Sequence, residues 1–243
     1  MTSEITAGDA RPEARRRGGW SLVRDVLVIL VVAVVVSFLI KTFLVRSFYI
    51  PSGSMEQTLQ INDRILVDEL TPRFGGYDRG DIVVFRDPGG WLPVQVEPAQ
   101  SVAVQAVDWL MSIVGISASD SKDHLIKRII GIGGDRVVCC NALGQITVNG
   151  TPIDETSYLN LAAGQSAPEV MPFDVTVPVG SLWVLGDNRD HSRDSRYNVD
   201  QPSRGFVPID NVVGRAFLTT WPLTRFGLLD FHHDVFDGTP APR

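Results

Sequence analysis

Cysteine is nearly absent from this chain of 243 residues, since it occurs only as the neighbours Cys139 and Cys140. Two adjacent cysteines cannot cross-link distant parts of a fold, so the sequence excludes a small domain held by a disulfide framework. The segment Val137–Cys140 is typical of an apolar strand, in which free cysteine behaves as a small hydrophobic side chain. We therefore expect packing to stabilise the fold, and we favour two strand cysteines over a redox pair.

The chain also has no dense run of lysine or arginine outside its amino-terminal tail. Its formal net charge is -6 and its pI is about 5.2, whereas nucleic-acid binding requires a concentrated basic surface. We therefore expect no nucleic-acid partner. Contents of 44% hydrophobic and 21% charged residues are ordinary for a globular protein.

Two familiar arrangements for serine chemistry are missing as well. The G-x-S-x-G elbow does not occur in the chain. The histidines offer candidates for a Ser/His/Asp triad but have no spacing typical of one; they are His124, His191, His232 and His233. A histidine base such as His191 stays open, and a lysine is the other candidate base for a serine nucleophile.

What the chain does contain is one long apolar run, which begins at Val26 and continues, interrupted by Lys41, to Val45. Its length of about 20 residues matches a membrane-spanning helix. A buried amphipathic helix would have polar side chains every third or fourth position, yet the first eleven residues of the run are all apolar. Because no A-x-A cleavage pattern follows, we predict an uncleaved transmembrane anchor over 24–45 after a disordered tail over 1–23.

Basic residues flank this run unevenly. Four arginines precede or enter it, namely Arg15, Arg16, Arg17 and Arg24. Arg46 is the only basic residue between Thr42 and Asn62. Because lysine and arginine beside a span are retained in the cytoplasm, we expect a cytoplasmic amino terminus and an extracytoplasmic domain over 46–243.

This domain is predicted to be mainly β. Short runs rich in Val, Ile, Leu and Phe alternate with turn residues; the clearest runs are Arg64–Val67, Ile82–Phe85, Ile126–Ile130, Gln145–Val148 and Leu182–Leu185. The pair Asn149-Gly150 favours a type I′ hairpin turn. Residues 91–122 have near-helical apolar spacing instead, and we interpret them as an insertion with a short amphipathic helix, placed either on the membrane surface or on the core.

A candidate nucleophile, Ser54, stands shortly after the apolar run in the sequence Pro51-Ser52-Gly53-Ser54-Met55. A lysine among apolar groups can activate such a serine, because burial lowers the pKa of the amine until it accepts a proton near neutral pH. Lys127 fits, since Leu125 and Ile129 would share its face if the segment is a strand. Periodicity alone equally allows a solvated lysine on an edge strand.

Four segments, in order along the chain, resemble the motif boxes of bacterial type I signal peptidases. They are Ile50–Met55 with Thr58 and Leu59; Gly80–Phe85; Lys127-Arg128 with Gly131, Gly134 and Asp135; and Gly186–Arg196, which matches G-D-N-R-D-x-S-x-D-S-R. The fourth box is too long to match by chance. The chain departs from the usual pattern at His191, at Ile132-Gly133 and in the insertion over 91–122. None of these departures removes a catalytic group.

The resemblance implies a Ser/Lys dyad in a β domain of coiled sheets or a partial barrel. Ser54 would attack the scissile carbonyl carbon, and a neutral Lys127 would be the general base and later protonate the leaving amine. Ser192 would hold the lysine amine by a hydrogen bond, and Ser52 would form the oxyanion hole with the backbone N–H of Ser54. The fourth box would supply a supporting charge network of Asp187, Arg189, Asp194 and Arg196. No metal or organic cofactor is implied.

The implied substrates are signal peptides of secreted preproteins, cleaved after small residues in an A-x-A pattern. Plausible walls of the shallow pockets for these residues are Phe48, Ile50, Pro51, Ile65 and Ile126. A core position suits Ile65 nearly as well. Because Ser54 is eight residues past Arg46, an extended chain would keep it within about 30 Å of the bilayer. The lipid bilayer is therefore an expected partner, and proximity to the export translocon follows.

Two other functions compete with this one. A related Ser/Lys peptidase could cleave itself or a regulator, although a cytosolic self-cleaving repressor would need a DNA-binding domain where this chain has an apolar run. An inactive anchored β domain could serve the export machinery as a scaffold. The scaffold hypothesis predicts that replacing Ser54 by alanine leaves precursor processing unchanged.

Overall fold

The computed structural model describes residues 19–43, 45–93, 123–161, 165, 168 and 171–242. Most of the predicted insertion and most of the predicted tail lie outside these residues. The chain forms two compact units, Met1–Ile40 and Lys41–Arg243.

The apolar run forms helix α1, Gly19–Phe43, of 25 residues. No glycine or proline occurs after Gly19 to interrupt it. Its described apolar side chains, from Leu22 to Val36, are largely exposed. Within the described ranges, no helix combines the length and the apolarity that crossing a membrane requires. The transmembrane anchor over 24–45 therefore stays a prediction.

The second unit contains a large antiparallel sheet. Its strands are β1 Val45–Tyr49, β2 Arg64–Asp68, β3 Ile82–Arg86, β4 His124–Ile132, β9 Ser181–Leu185, β10 Val207–Pro208, β11 Val212–Trp221 and β12 Gly227–Leu228. Their order is β1-β2-β11-β3-β4-β9-β10, and β12 pairs with β11. Strand β4 lies between β3 and β9, with Lys127 opposite Val83. An edge-strand position for Lys127 is therefore excluded.

The remaining strands form a smaller antiparallel sheet; they are β5 Arg136–Cys139, β6 Thr147–Val148, β7 Thr151–Pro152 and β8 Phe173–Thr176. Their order is β7-β6-β5-β8. Asn149 and Gly150 join β6 to β7 with φ angles of 53° and 87°, so the predicted hairpin turn is confirmed. Cys139 and Cys140 are joined by a disulfide, which differs from our expectation of free strand cysteines.

Short helical segments connect the strands. They are the helix α2, Thr71–Gly75, and single 3₁₀ turns at Gly53–Met55, Arg189–His191, Ser195–Tyr197, Ile209–Asn211, Leu223–Arg225 and His233–Phe236. Three apolar clusters form the core; we call the one that contains Phe48 and Met55 the first cluster and the one that contains Trp183 and Phe236 the second cluster. The mainly β fold class is confirmed.

Candidate active site

Ser54 lies in the 3₁₀ turn between β1 and β2. The backbone enters this turn from an extended Ser52, and the N–H of Glu56 closes it on the carbonyl of Gly53 at 3.1 Å. The neighbouring side chains of Met55 and Leu59 are fully buried in the first cluster. The sequence thus places a serine on a turn that packing holds rigid.

Lys127 extends from the middle of β4 to this turn. Its Nζ lies 2.7 Å from Ser54 Oγ, within hydrogen-bond distance. The same Nζ donates to the carbonyl oxygen of Ile126 at 2.9 Å. Both partners are buried, with Lys127 4% and Ser54 7% exposed. Two residues 73 positions apart, the candidate nucleophile and the candidate base, therefore lie within hydrogen-bond distance of each other.

The protonation of Lys127 depends on a balance between burial and acidic neighbours. Desolvation by burial lowers its pKa from 10.5 to about 8, whereas the charges of Asp194 and Asp187 raise it. Burial thus moves the amine toward the neutral form that the resemblance implies, and the neutral resting lysine stays a prediction.

Ser192 and Ser52 occupy different environments. Ser192 is buried, and its Oγ has no hydrogen-bond partner within the described residues, so the expected bond to Lys127 is not formed. It lies close to the 3₁₀ turn Gly53–Met55, which we call the nucleophile turn. Both Ser192 Oγ and the Ser54 carbonyl oxygen are so close to Gly186 that a Cβ on this glycine would overlap them. Ser52 is exposed, and its side chain makes no capping bond to the turn.

Asn188 fastens the fourth box to the nucleophile turn. Its backbone N–H donates to the Ser54 carbonyl at 3.1 Å, and its Nδ2 donates to the Gly53 carbonyl at 3.0 Å and to Glu56 Oε2 at 3.1 Å. His191 Nδ1 lies 3.3 Å from Asn188 Oδ1. Sequence reasoning did not single out Asn188, because its role depends on a turn 135 residues away.

Arg128 and Asp187 form a fully buried ion pair behind the dyad. Arg128 Nε and Nη2 donate to the two Asp187 oxygens at 2.9 and 2.8 Å. Thr58 Oγ1 donates to Asp187 Oδ2 at 2.5 Å, and the Tyr158 ring lies 4.3 Å from the guanidinium carbon. Bidentate pairing and full hydrogen bonding make burial of this carboxylate tolerable.

Three further charges of the fourth box, those of Arg189, Asp194 and Arg196, are also buried and paired, whereas Asp190 and Arg193 are exposed. Arg196 Nε and Nη2 donate to the two oxygens of Asp194 at 2.8 and 2.9 Å. Asp194 Oδ2 also accepts from the Gly186 N–H at 3.1 Å. Arg189 pairs with Glu155, whose Oε1 lies 2.5 Å from its Nη2. The pattern of the sequence singled out neither Glu155 nor Arg128 as a partner, because both come from distant segments.

Four of the five predicted pocket residues lie together in the first cluster. Phe48, Ile50, Ile65 and Ile126 are buried there, whereas Pro51 is exposed. Ile65 has no exposed surface, which fits a core position.

A cavity of about 260 Å³ lies beside the smaller sheet, and Leu143, Phe173 and Arg189 are among the residues that line it. Neither Ser54 nor Lys127 lines this cavity, so we do not assign the substrate to it. No group of three or more His, Cys, Asp or Glu residues in the described ranges is placed to hold a metal ion.

The chain matches known proteins over the region that carries this geometry. A family model described as signal peptidase, peptidase S26, matches residues 23–221. Signal peptidase I of Mycobacterium tuberculosis is 39% identical over 93% of this chain and 82% of the relative. A probable signal peptidase I of Mycobacterium leprae is 34% identical over 93% of this chain and 83% of the relative. A probable signal peptidase I-2 of Synechocystis is 38% identical over 82% of this chain and 74% of the relative. The chain therefore belongs to the bacterial type I signal peptidases of the peptidase S26 family, which are serine peptidases.

Proposed function

We propose that Ser54 and Lys127 are the catalytic dyad with which this enzyme removes signal peptides. The buried contact of 2.7 Å between Ser54 Oγ and Lys127 Nζ is the observation that carries the proposal. Ser54 Oγ attacks the scissile carbonyl carbon while its proton passes to neutral Lys127. The protonated lysine then donates this proton to the leaving amine, and water hydrolyses the acyl-enzyme with the same base.

Two groups are proposed to assist. Ser52 and the backbone N–H of Ser54 would donate to the developing oxyanion, which suits the exposed Ser52 hydroxyl at the entrance of the turn. Ser192 would orient Lys127. Its Oγ is buried beside the turn Gly53–Met55 and has no hydrogen-bond partner within the described residues, so we expect it to accept a hydrogen bond from the lysine amine when substrate binds.

The proposed cleavage site follows an A-x-A pattern. Small side chains would enter shallow apolar pockets walled by Phe48, Ile50, Pro51 and Ile126. Ile126 presents the edge of such a wall, because it is 8% exposed and directly precedes Lys127. The substrates are then the signal peptides of secreted preproteins.

We also propose that the enzyme works at a membrane, with a single amino-terminal anchor and the catalytic unit on the extracytoplasmic face. The exposed apolar side chains of α1 and the arginines before them support this placement. A second apolar surface occurs at the hairpin of β11 and β12, where Trp221, Leu223, Phe226 and Leu228 are exposed. A bilayer would cover both surfaces, near the translocon that delivers the precursors.

The dyad is tested by hydrolysis of a peptide that spans an A-x-A signal cleavage site, followed against pH. The intact chain is expected to cleave after the second Ala. Its activity should rise with pH as Lys127 loses its proton; we call this rise the base limb, and we expect its midpoint near pH 8. Ser54→Ala and Lys127→Ala should both lose activity by at least about 10³-fold, because the nucleophile or its base is gone.

Two control variants sharpen this test. Lys127→Arg keeps the charge but cannot release its proton near neutral pH, so it should be as inactive as Lys127→Ala. Arg136→Ala removes an exposed residue that pairs with Asp174 and should behave like the intact chain. Cleavage that persists without Lys127 would reject the dyad, and an intact chain that cleaves nothing would favour the scaffold hypothesis.

A further inference from the structure

Residues 229–240, which follow β12, pass beside Arg128 and Gly80, and we call this segment the C-terminal strap. It includes the 3₁₀ turn His233–Phe236. The match to the family model ends at residue 221, so the strap lies beyond the matched segment. Its contacts nevertheless reach a residue that adjoins the dyad.

That residue is Arg128, whose guanidinium has five N–H donors. Nε and one N–H of Nη2 bind Asp187, and the other N–H of Nη2 faces Thr58 Oγ1 at 3.3 Å. Nη1 donates to the carbonyl oxygens of Gly80 and Phe231, both at 2.9 Å. Every donor thus has an acceptor, and the strap supplies the Phe231 carbonyl, with the Asp230 carbonyl farther from Nη1 at 3.5 Å.

Gly80 leaves the space that this arrangement needs. Its φ is +95°, and a Cβ there would overlap the Phe231 carbonyl oxygen. The N–H of Gly80 donates to the carbonyl of Ile129 in β4 at 2.7 Å. Gly80 therefore holds the strap against the same strand that carries Lys127.

The strap is fixed by apolar and polar contacts along its length. Phe231 packs against the first cluster, and Phe236 is buried in the second. His233 Nε2 lies 3.1 Å from Asp81 Oδ1. Near the end, Arg79 donates to Thr239 Oγ1 at 2.5 Å and to the Pro240 carbonyl at 3.0 Å. The position of the Phe231 carbonyl is thus fixed by the packing of its own ring and by the contacts of the residues that follow it in the strap.

We propose that the C-terminal strap is a positioning element of the active site, which holds Arg128 on Asp187 and so keeps the environment of Lys127 dry and electrically balanced. This inference rests on the proposed Ser/Lys dyad. Arg128 adjoins Lys127 in β4, and Asp187 is one of the two acidic groups whose charges act on the lysine, the other being Asp194 with its own partner Arg196.

The direction of the effect follows from the two influences on the amine. Without the strap, Arg128 loses an acceptor and holds Asp187 less firmly, so the negative charge on Asp187 acts more strongly on Lys127. Water also gains access to the buried network. Both changes favour the charged amine and raise its pKa. A strap that served stability alone would leave the base limb of the pH profile where it was.

The test compares the full chain with a deletion of residues 230–243 and with Gly80→Ala, whose Cβ would displace the Phe231 carbonyl. The matched controls are a deletion of residues 241–243, which spares every strap contact described above, and Gly75→Ala, where a Cβ meets nothing within 4 Å. Values of kcat and KM for the A-x-A peptide are measured against pH, and circular dichroism and thermal unfolding report folding.

We expect the base limb to move up by about one pH unit in both test variants, with a roughly tenfold lower kcat at pH 7 and little change in KM. The controls should keep the profile of the full chain. Folded test variants with an unmoved base limb would overturn the proposal. Failure of both to fold would also overturn it, because the strap would then act through stability alone. A full chain without a limb that depends on Lys127 would instead reject the dyad itself.

Discussion

Lys127, the proposed base, is held where an ammonium ion is poorly solvated. Burial lowers its pKa, and the nearby carboxylates of Asp187 and Asp194 restore part of the loss. Each of these carboxylates is neutralised by an arginine, Arg128 or Arg196. The site therefore combines a basic side chain with balanced charges around it.

In this environment the charged form of Lys127 lowers the free energy of unfolding. In the unfolded chain its pKa is near 10.5, whereas in the fold it is about 8, so below pH 8 the folded state carries a charge that it solvates poorly. This destabilisation is fully present below pH 8, falls as the pH rises from 8 to 10.5, and vanishes above that range. The shift in pKa corresponds to a destabilisation of about 3 kcal/mol. The hydrogen bonds that the amine donates offset part of this destabilisation.

We therefore predict that Lys127→Met abolishes cleavage but raises the free energy of unfolding at pH 7 by about 1 to 3 kcal/mol. Urea unfolding at a series of pH values measures this difference, which should shrink above pH 8. Ser54→Ala, which also abolishes cleavage but keeps the amine, should retain the pH dependence of the intact chain. A Lys127→Met chain less stable than the parent at pH 7 would contradict the prediction.

At the scale of single residues, sequence reasoning indicated Ser54 and Lys127 as the candidate dyad but did not indicate the residues that surround them. The apolar neighbours of Lys127 made it a candidate base, and the resemblance to the signal peptidase motifs, rather than periodicity alone, favoured this role over a solvated edge-strand lysine. Arg128, Glu155 and Asn188 act through partners 34 to 135 residues away. Nothing in their local sequence indicates which partner they meet.

The sequence predicted strands correctly where an apolar run is bounded by turn residues. The predicted runs at Arg64, Ile82, Ile126 and Leu182 lie in β2, β3, β4 and β9. Strand β11 was not predicted, because register shifts between Ala216 and Leu218 and between Thr219 and Trp221 disturb its alternation. Only pairing with β2 and β3 makes this segment a central strand.

The end of β11 also gives a prediction about the membrane. In the full chain reconstituted into vesicles, brominated lipids should quench part of the tryptophan fluorescence, and Trp221→Phe should remove a measurable share of the quenched signal. Trp221 is 53% exposed in the apolar hairpin, whereas Trp91 is buried, so Trp91→Phe serves as the control. Equal quenching in the intact chain and in Trp221→Phe would show that this hairpin does not reach the bilayer.

The whole molecule consists of two compact units, and only the second contains the dyad, its charge network and the strap. Because this unit has its own apolar clusters, chemistry and anchoring are expected to be separable. The first unit would then affect how often the active site meets a precursor rather than how fast it reacts.

We predict that a chain beginning at Lys41 cleaves the short A-x-A peptide with a kcat within about twofold of the full chain. For a precursor held in vesicles its kcat/KM should fall by about 10²-fold, because the shared membrane no longer raises the effective concentration. Both substrates are assayed with both chains at equal concentration. A shortened chain that is equally efficient on the vesicle-held precursor would rule out anchoring as the function of the first unit.

The sequence by itself determined the β class and the hairpin at Asn149-Gly150, and it indicated Ser54 and Lys127 as the candidate dyad. These depend on local spacing, on turn residues and on chemical type, which are all present along the chain. Only the tertiary structure decided that Lys127 lies on a central strand, that Arg128 holds Asp187 and that the strap holds Arg128. Burial and pairing depend on which distant segments meet, and that is fixed by the packing of the whole fold.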